Sequence, residues 1–254
     1  MNGRIRSLGA SVALAALLAG GPALAAGDTT TADAKVETRT TVITTKKAEP
    51  AVPEQQGAAI TDELEDAEET VRGAKAAIAK MKGNAELTGL MQRAKGIYIV
   101  PEFAKGAIVV GGWGGEGVLL TRNGSGWSGP AFYDIAAVSA GAEIGFTSGT
   151  VAYLLLSDSA LDEFRTDESF SLGANAELTV VDFSAQAKAT LGDKDIVVWS
   201  DTEGAYVGAG GSVSDINWDA EANNAYYRKD VTVRQILNGE VQSPNMSLQD
   251  ALSG

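Results

Sequence analysis

Neither cysteine nor histidine occurs anywhere in the 254 residues. Without Cys the chain has no disulfides, thiol nucleophiles, thiolate metal sites or Cys-linked lipid anchors. Without His it has no His-based triad, no His-ligated zinc and no usual proton shuttle near neutral pH. Long apolar runs are also missing beyond the first 25 residues, where nothing approaches the roughly 18 uninterrupted apolar residues that a bilayer-spanning helix needs. Cations are scarce, with 20 Lys and Arg against 33 Asp and Glu for a net charge of −13, which argues against general nucleic-acid binding. The fold must therefore stand on its core alone, and the roughly 195 residues from Thr61 to Gly254 are enough for one domain to do so.

What is present begins with Arg4 and Arg6 ahead of an apolar run from Leu8 to Leu18 and the small-residue site Ala23-Leu24-Ala25. That is the pattern of a secretory signal peptide over residues 1–25. Removing it takes away two arginines and no acid, so the net charge goes from −13 to −15. Residues 26–60 are rich in Thr, Ala, Lys and Glu, include Pro50 and Pro53, and read as a flexible tether. The mature chain is expected to be exported, periplasmic or secreted, and soluble.

The domain proper is expected over 61–239, followed by a C-terminal tail at 240–254. A helix is predicted to open at Thr61 or Asp62, with Glu65 as capping-box partner. Leu64, Ala67, Val71, Ala74, Ile78 and Met81 then recur at steps of three and four on one stripe. That stripe suits either a helix docked on a core or one that faces a membrane or partner. Asn84 reads as the cap of a shorter second helix, ended by Gly96 in the left-handed conformation. Strands are predicted at Ile97–Val100, Gly106–Val110, Gly117–Arg122, Ala142–Phe146, Val151–Leu156, Leu172–Val181, Asp195–Ser200 and Ala205–Val213. Short helices are predicted at Ser159–Phe164, Glu221–Tyr226 and Val233–Leu237, the last stopped by Gly239. Many short strands, frequent Gly and few crossover helices point to an α+β fold. Its core is a curved, mostly antiparallel sheet or barrel, with N-terminal helices and short C-terminal ones.

Several motifs suggest chemistry and fail on context. Gly112 to Gly117 spells GxGxxG, but Val118-Leu119-Leu120 continues as a strand where a dinucleotide site needs a helix. These glycines read instead as a hairpin turn or tight bend that displays Trp113, an amphipathic ring without local apolar company. Asp215, Asn217 and Asp219 imitate half of a calcium loop, yet Ala220 and Tyr226 stand where Gly and Glu are required. Trp127, Phe132, Tyr133, Trp199, Trp218, Tyr226 and Tyr227 read as core or turn packing. No cofactor or metal site and no catalytic residue emerges. Charge is unevenly spread: from Thr70 to Lys105 seven Lys/Arg face two Glu, whereas from Gly106 to Gly254 seven face 20 Asp/Glu. An anionic partner would approach the first region.

The stretch AKGIYIVPEFAKGAIVVGGWGGEGVLLTRNGSGWSGPAFY from Ala94 to Tyr133, then SAGAEIGFTSGTVAYLLLSDSALDEF and NNAYYRKDVTVRQILNG, resembles the SYLF-domain family of lipid-binding proteins, which includes yeast actin-associated members. The likeness runs from about Thr61 to Gly239. It implies a non-enzymatic domain that binds anionic phospholipid at a membrane surface through an N-terminal basic face. Carried onto this chain, that face is Arg72, Lys75, Lys80, Lys82, Arg93, Lys95 and Lys105, with Trp113 as an insertion residue. A protein partner in the cell envelope is the other expectation, and actin is set aside for an exported chain of this type. Two departures stand out: Val181-Asp182 replaces a common Gly-Pro turn, and Arg228 follows Tyr227 where Gly is common.

The signal-peptide reading is checked by N-terminal sequencing of the exported protein, which is expected to begin at Ala26 or Gly27.

Overall fold

Helix α1 (Glu54–Lys82) carries the expected stripe, and it is buried: Ala67, Val71, Ala74, Ile78 and Met81 lie in the core, with Leu64 packed at its edge. The docked reading of this helix is therefore correct. Its start differs, because it opens at Glu54 and not at Thr61 or Asp62. The preceding turn is built mostly from helix formers, and extending an existing helix costs little. Asp62 and Glu65 thus lie inside the helix and do not cap it.

The chain is seen here in a computed structural model that describes residues 54–107, 111–124, 126–139, 145–166, 168–172, 178–183, 194–202 and 214–254. Within those stretches, side chains are described at 59–103, 114–124, 126–136, 148–166, 168–171, 178–183, 194–202 and 215–254. The expected signal peptide, nearly all of the tether, the strand at Ala205–Val213 and parts of those at Gly106–Val110, Ala142–Phe146 and Leu172–Val181 lie outside the described residues.

Helix α2 (Ala85–Arg93) opens as expected, with Asn84 Oδ1 accepting from the Glu86 and Leu87 N–H groups at 2.9 and 3.2 Å. Its end is not the left-handed Gly96, which already lies in the first strand; Ala94 closes it in an extended conformation. Arg122 supplies what glycine would have, donating from Nε to the Ala94 carbonyl at 3.1 Å and from Nη2 to that of Met91 at 3.2 Å. Its guanidinium also lies 4.3 Å from the centre of the Trp127 ring.

Nine strands follow among the described residues. They are β1 (Gly96–Ala107), β2 (Gly111–Asn123), β3 (Gly126–Trp127), β4 (Ala131–Ser139), β5 (Gly145–Leu155), β6 (Ser169–Leu172), β7 (Val180–Asp182), β8 (Ile196–Ser200) and β9 (Ser214–Trp218). Helix α3 (Asp158–Thr166) follows β5, and α4 (Ala220–Tyr227), α5 (Val233–Leu237) and α6 (Ser247–Ser253) close the chain. The sheet order is β6-β9-β4-β2-β1-β5-β8-β7, with β3 beside β2, and among the described residues only β7 and β8 pair in parallel. The sheet curls into a half-barrel, which bears out the expected α+β class. Strands β3, β4 and β9 and helix α6 have no counterpart among the predicted elements, β6 overlaps one only at Leu172, and Val181-Asp182 lies in a strand.

Strand alternation splits the core into two layers. Tyr98, Tyr133 and Tyr153 gather with Phe164 of α3, ring centres 5.4 to 6.2 Å apart. The Tyr98 hydroxyl donates to the Tyr133 carbonyl and that of Tyr133 to the Phe164 carbonyl, both at 3.0 Å. On the opposite face α4 sets Tyr226 against Phe132, their ring centres 5.0 Å apart. There Asn223 also holds β4, accepting from the Phe132 N–H at 3.1 Å and donating to its carbonyl at 2.8 Å.

Curvature comes from two devices. Strand β1 gains one residue on both neighbours around Pro101-Glu102, a bulge where proline lacks the N–H that a regular ladder would use. Strand β2 meets it with Gly111 to Gly117, which pair as strand with β1 and β4, so that of the two expected readings the tight bend holds and the hairpin turn does not. The glycines are needed for close approach: a Cβ at Gly117 would stand 2.7 Å from the Tyr98 ring and 2.8 Å from the Ile99 carbonyl oxygen. At Gly73 of α1 a Cβ would stand 2.5 Å from Pro101, so helix and sheet meet most tightly at the bulge.

Gly117→Ala is expected to destabilise the fold by about 1–3 kcal/mol through this overpacking. Arg228, which ends α4 in the left-handed conformation at φ 55°, offers the opposite case. Arg228→Gly is expected to stabilise by about 0.5–1 kcal/mol, the left-handed cost less the added freedom of the unfolded chain. Urea denaturation of both variants reads the two signs.

Candidate functional site

The buried stripe of α1 fixes where its cations point. At about 100° per residue, Lys75 and Lys82 fall within about 20° of one another around the helix, and Arg72 within about 80° of both. Arg72 and Lys75 are exposed and Lys82 is half-buried. Lys80 turns to the other flank and bonds Asp201 just after β8, Nζ to Oδ2 at 2.6 Å. Asp201 Oδ1 also accepts from the Thr150 N–H at 2.7 Å. Burial works against its charge, but the hydrogen bonds from Lys80 and Thr150 outweigh it and hold the carboxyl below the usual range.

Arg93 is exposed in the last turn of α2, where a cation favours the negative end of the helix dipole. Lys95, between α2 and β1, is engaged by Asp158. Lys105 and Trp113 are direct cross-strand partners on β1 and β2, and their side chains lie outside the described residues. The seven cations of the expected face therefore divide. Arg72, Lys75, Lys82 and Arg93 form no ion pair among the described residues, whereas Lys80 and Lys95 serve as internal ties.

An acidic junction lies where α1 and α4 meet the sheet, and it went unnoticed in the sequence. Glu116 and Asp134 face each other across β2 and β4, and Thr70 Oγ1 of α1 reaches Glu116 Oε2 at 3.4 Å. Both residues are exposed to solvent, with like charges on the side that faces the protein. Burial, then the charges of Asp134, Asp66, Asp219 and Glu63, pushes Glu116 up to about 7. Burial, then Asp219 and Glu63, pushes Asp134 up to about 6. Glu63 is raised by burial first, then by Asp219, Glu221, Asp66 and Asp62. Asp219 is tied in place as the N-cap of α4, accepting from the Ala222 N–H at 2.8 Å. Only the register reveals the junction, since 18 residues and a chain reversal separate Glu116 from Asp134.

The calcium-like spacing dissolves for the same reason. Asp215 and Asn217 alternate along β9 and accept from the hydroxyls of Ser171 and Ser169 at 2.6 and 2.7 Å, and Asp219 caps a helix. Among the described residues no group of three or more acidic side chains is arranged to hold a metal ion. No described helix is long and apolar enough to cross a membrane.

With this geometry in place, comparison with known proteins adds the following. The sequence model of the Ysc84 family, described as Las17-binding protein actin regulator, matches residues 136–253. The chain is 28% identical over 161 residues to Protein YSC84 of Saccharomyces cerevisiae, covering 61% of this chain and 34% of that protein. It is 27% identical over 161 residues to LAS seventeen-binding protein 3 of the same yeast, covering 61% and 35%. It is 25% identical over 159 residues to SH3 domain-containing YSC84-like protein 1 of Mus musculus, covering 61% and 46%. The aligned part thus spans less than half the length of each of these relatives. The cation flank of α1 lies ahead of the residues that the family model matches.

The division of the cations is open to measurement. Asp201→Ala is expected to cost about 1–3 kcal/mol, because it strands the Thr150 N–H as well as Lys80. Lys80→Ala should cost no more than about 1 kcal/mol, and Arg72→Ala, Lys75→Ala or Lys82→Ala should stay within about 0.5 kcal/mol of the parent. Chemical denaturation at neutral pH gives the ranking.

Proposed function

This chain belongs to the SYLF family, and from that membership we propose that it is an exported, non-enzymatic domain that binds phospholipid head groups at a membrane surface of the cell envelope. The observation that carries the reading is the row of unpaired cations on α1, Arg72, Lys75 and Lys82, with Arg93 on α2 as a fourth. Each cation near an anionic surface contributes about 1 kcal/mol within a Debye length. On a chain of net charge −13, attraction is confined to that flank and repulsion governs elsewhere, so the domain binds in one orientation. Trp113 is the insertion residue in this reading, suited to the interface by its amphipathic ring. With no Cys to acylate, attachment is peripheral and reversible.

A second reading takes the domain as an envelope interaction module that engages a protein without direct lipid contact. The name of LAS seventeen-binding protein 3 records a protein partner for that relative, and the same cation flank would meet an acidic partner here.

Co-sedimentation of the mature protein at low salt distinguishes the two. Vesicles containing phosphatidylglycerol are expected to pellet it, those of phosphatidylcholine alone to leave it in solution, and the triple variant Arg72→Glu, Lys75→Glu, Lys82→Glu to abolish pelleting. Protein left in the supernatant by both vesicle types sinks the lipid reading. Loss of partner capture in the triple variant, with vesicle binding untouched, supports the second.

A further inference from the structure

We propose that the amino-terminal half of α1 is an acid-tightened latch, in which Glu63 and Asp66 close onto Glu116, Asp134 and Asp219 under mildly acidic conditions and are pushed away as these groups ionise. The two halves of the helix are held in different ways. Beyond Gly73, the close seat on Pro101, the buried Ala74, Ala77, Ile78 and Met81, and the Lys80–Asp201 pair pin it to the sheet. Before Gly73, Ala67, Thr70 and Val71 are buried and Leu64 partly so; Arg72 is exposed, and the principal charges acting on Glu63, Glu116 and Asp134 are all of one sign.

Those groups are Asp62, Glu63 and Asp66 on α1, Glu116 on β2, Asp134 on β4, and Asp219 and Glu221 on α4. Strand β9 adds the uncharged Asn217 opposite Asp134. Glu68 acts on Tyr226. The other elements packed on α1, namely β1, α2 and α6, supply none of the principal charges acting on Glu63, Glu116 or Asp134. Among the described residues none of these seven carboxylates is in an ion pair. Nor can the sheet yield readily, because Glu116 and Asp134 are locked opposite each other by the register and Asp219 is fixed as a cap.

The sign follows from linkage. In the docked state Glu116 is pushed up to about 7 and Asp134 to about 6, and both fall toward the ordinary carboxylate range once the helix lifts, because its cover and the charges of Glu63 and Asp66 leave with it. Docking therefore takes up protons between that range and about pH 7. Latch stability is full below it, falls as pH rises through it, and is level above it.

Hydrogen exchange on the full chain, without vesicles and corrected for intrinsic rates, tests this separately from lipid binding. From pH 5 to pH 8 protection over residues 62–72 is expected to fall tenfold or more, about one pKa unit of linkage, while residues 76–82 keep theirs. Glu116→Gln with Asp134→Asn should hold 62–72 protected at pH 8 and flatten the profile, and Asp66→Asn on the helix itself should do so in part. An equal fall in both halves, or an unchanged slope in these variants, overturns the latch.

Discussion

Strand β1 carries one residue more than each neighbour around Pro101-Glu102, and proline there has no N–H for either ladder. Everything near it accommodates that excess. The sheet bends at the bulge, β2 gives up side chains so that Tyr98 and the β1 backbone can close in, and α1 seats Gly73 on the proline ring. Thr150 of β5 adds a hydroxyl bond to the Pro101 carbonyl at 2.9 Å, and Asp201 binds the N–H of the same threonine. Bulge, glycine strand, first helix and Lys80 tie form one connected arrangement, in which removing any member leaves a void or a stranded polar group for the others.

Which of these features could be read from the chain depends on the range of the physics behind them. Asn84 capping α2, the extent of α5 and Gly239 beyond it at φ 73° are local chemistry, and they stood out. So did the buried stripe of α1, because period 3.6 is written in consecutive residues. Glycines from Gly111 to Gly117 left turn and bend open, since what excludes a Cβ lies on other strands: Tyr98 at Gly117, the Glu102 carbonyl at Gly115 and the Ile135 carbonyl at Gly114. The charge excess of α1 and α2 was visible by counting, but the removal of Lys80 and Lys95 into ties with Asp201 and Asp158 was not. The acidic junction exists only through register, and a sequence carries register only once its partners are assigned. The departure at Arg228 had a signal: the position where relatives commonly have Gly adopts the conformation that Gly favours.

Electrostatically, α1 is one helix with two separate duties. Its acids, Asp62 to Glu69, lie well inside a helix that opens at Glu54, whereas Lys80 and Lys82 sit in the last turn, where a cation favours the negative end of the dipole. The same order sets the acidic half over carboxylates of the sheet and leaves the basic flank turned outward. A change in charge at one end therefore need not disturb the other, because the tight seat at Gly73 and Pro101 stands between them.

Helix α6 packs against α1, so the first and last described elements of the domain touch, and Leu248 and Gln249 are buried in doing so. In synthesis α1 emerges first and α6 last. Between them β4 must also find β9 some eighty residues later, and such distant pairings are slow to form. Helix α2 and strands β1 and β2 can cover part of the α1 stripe early, but the cover given by α4 and α6 waits until nearly all of the described chain is available.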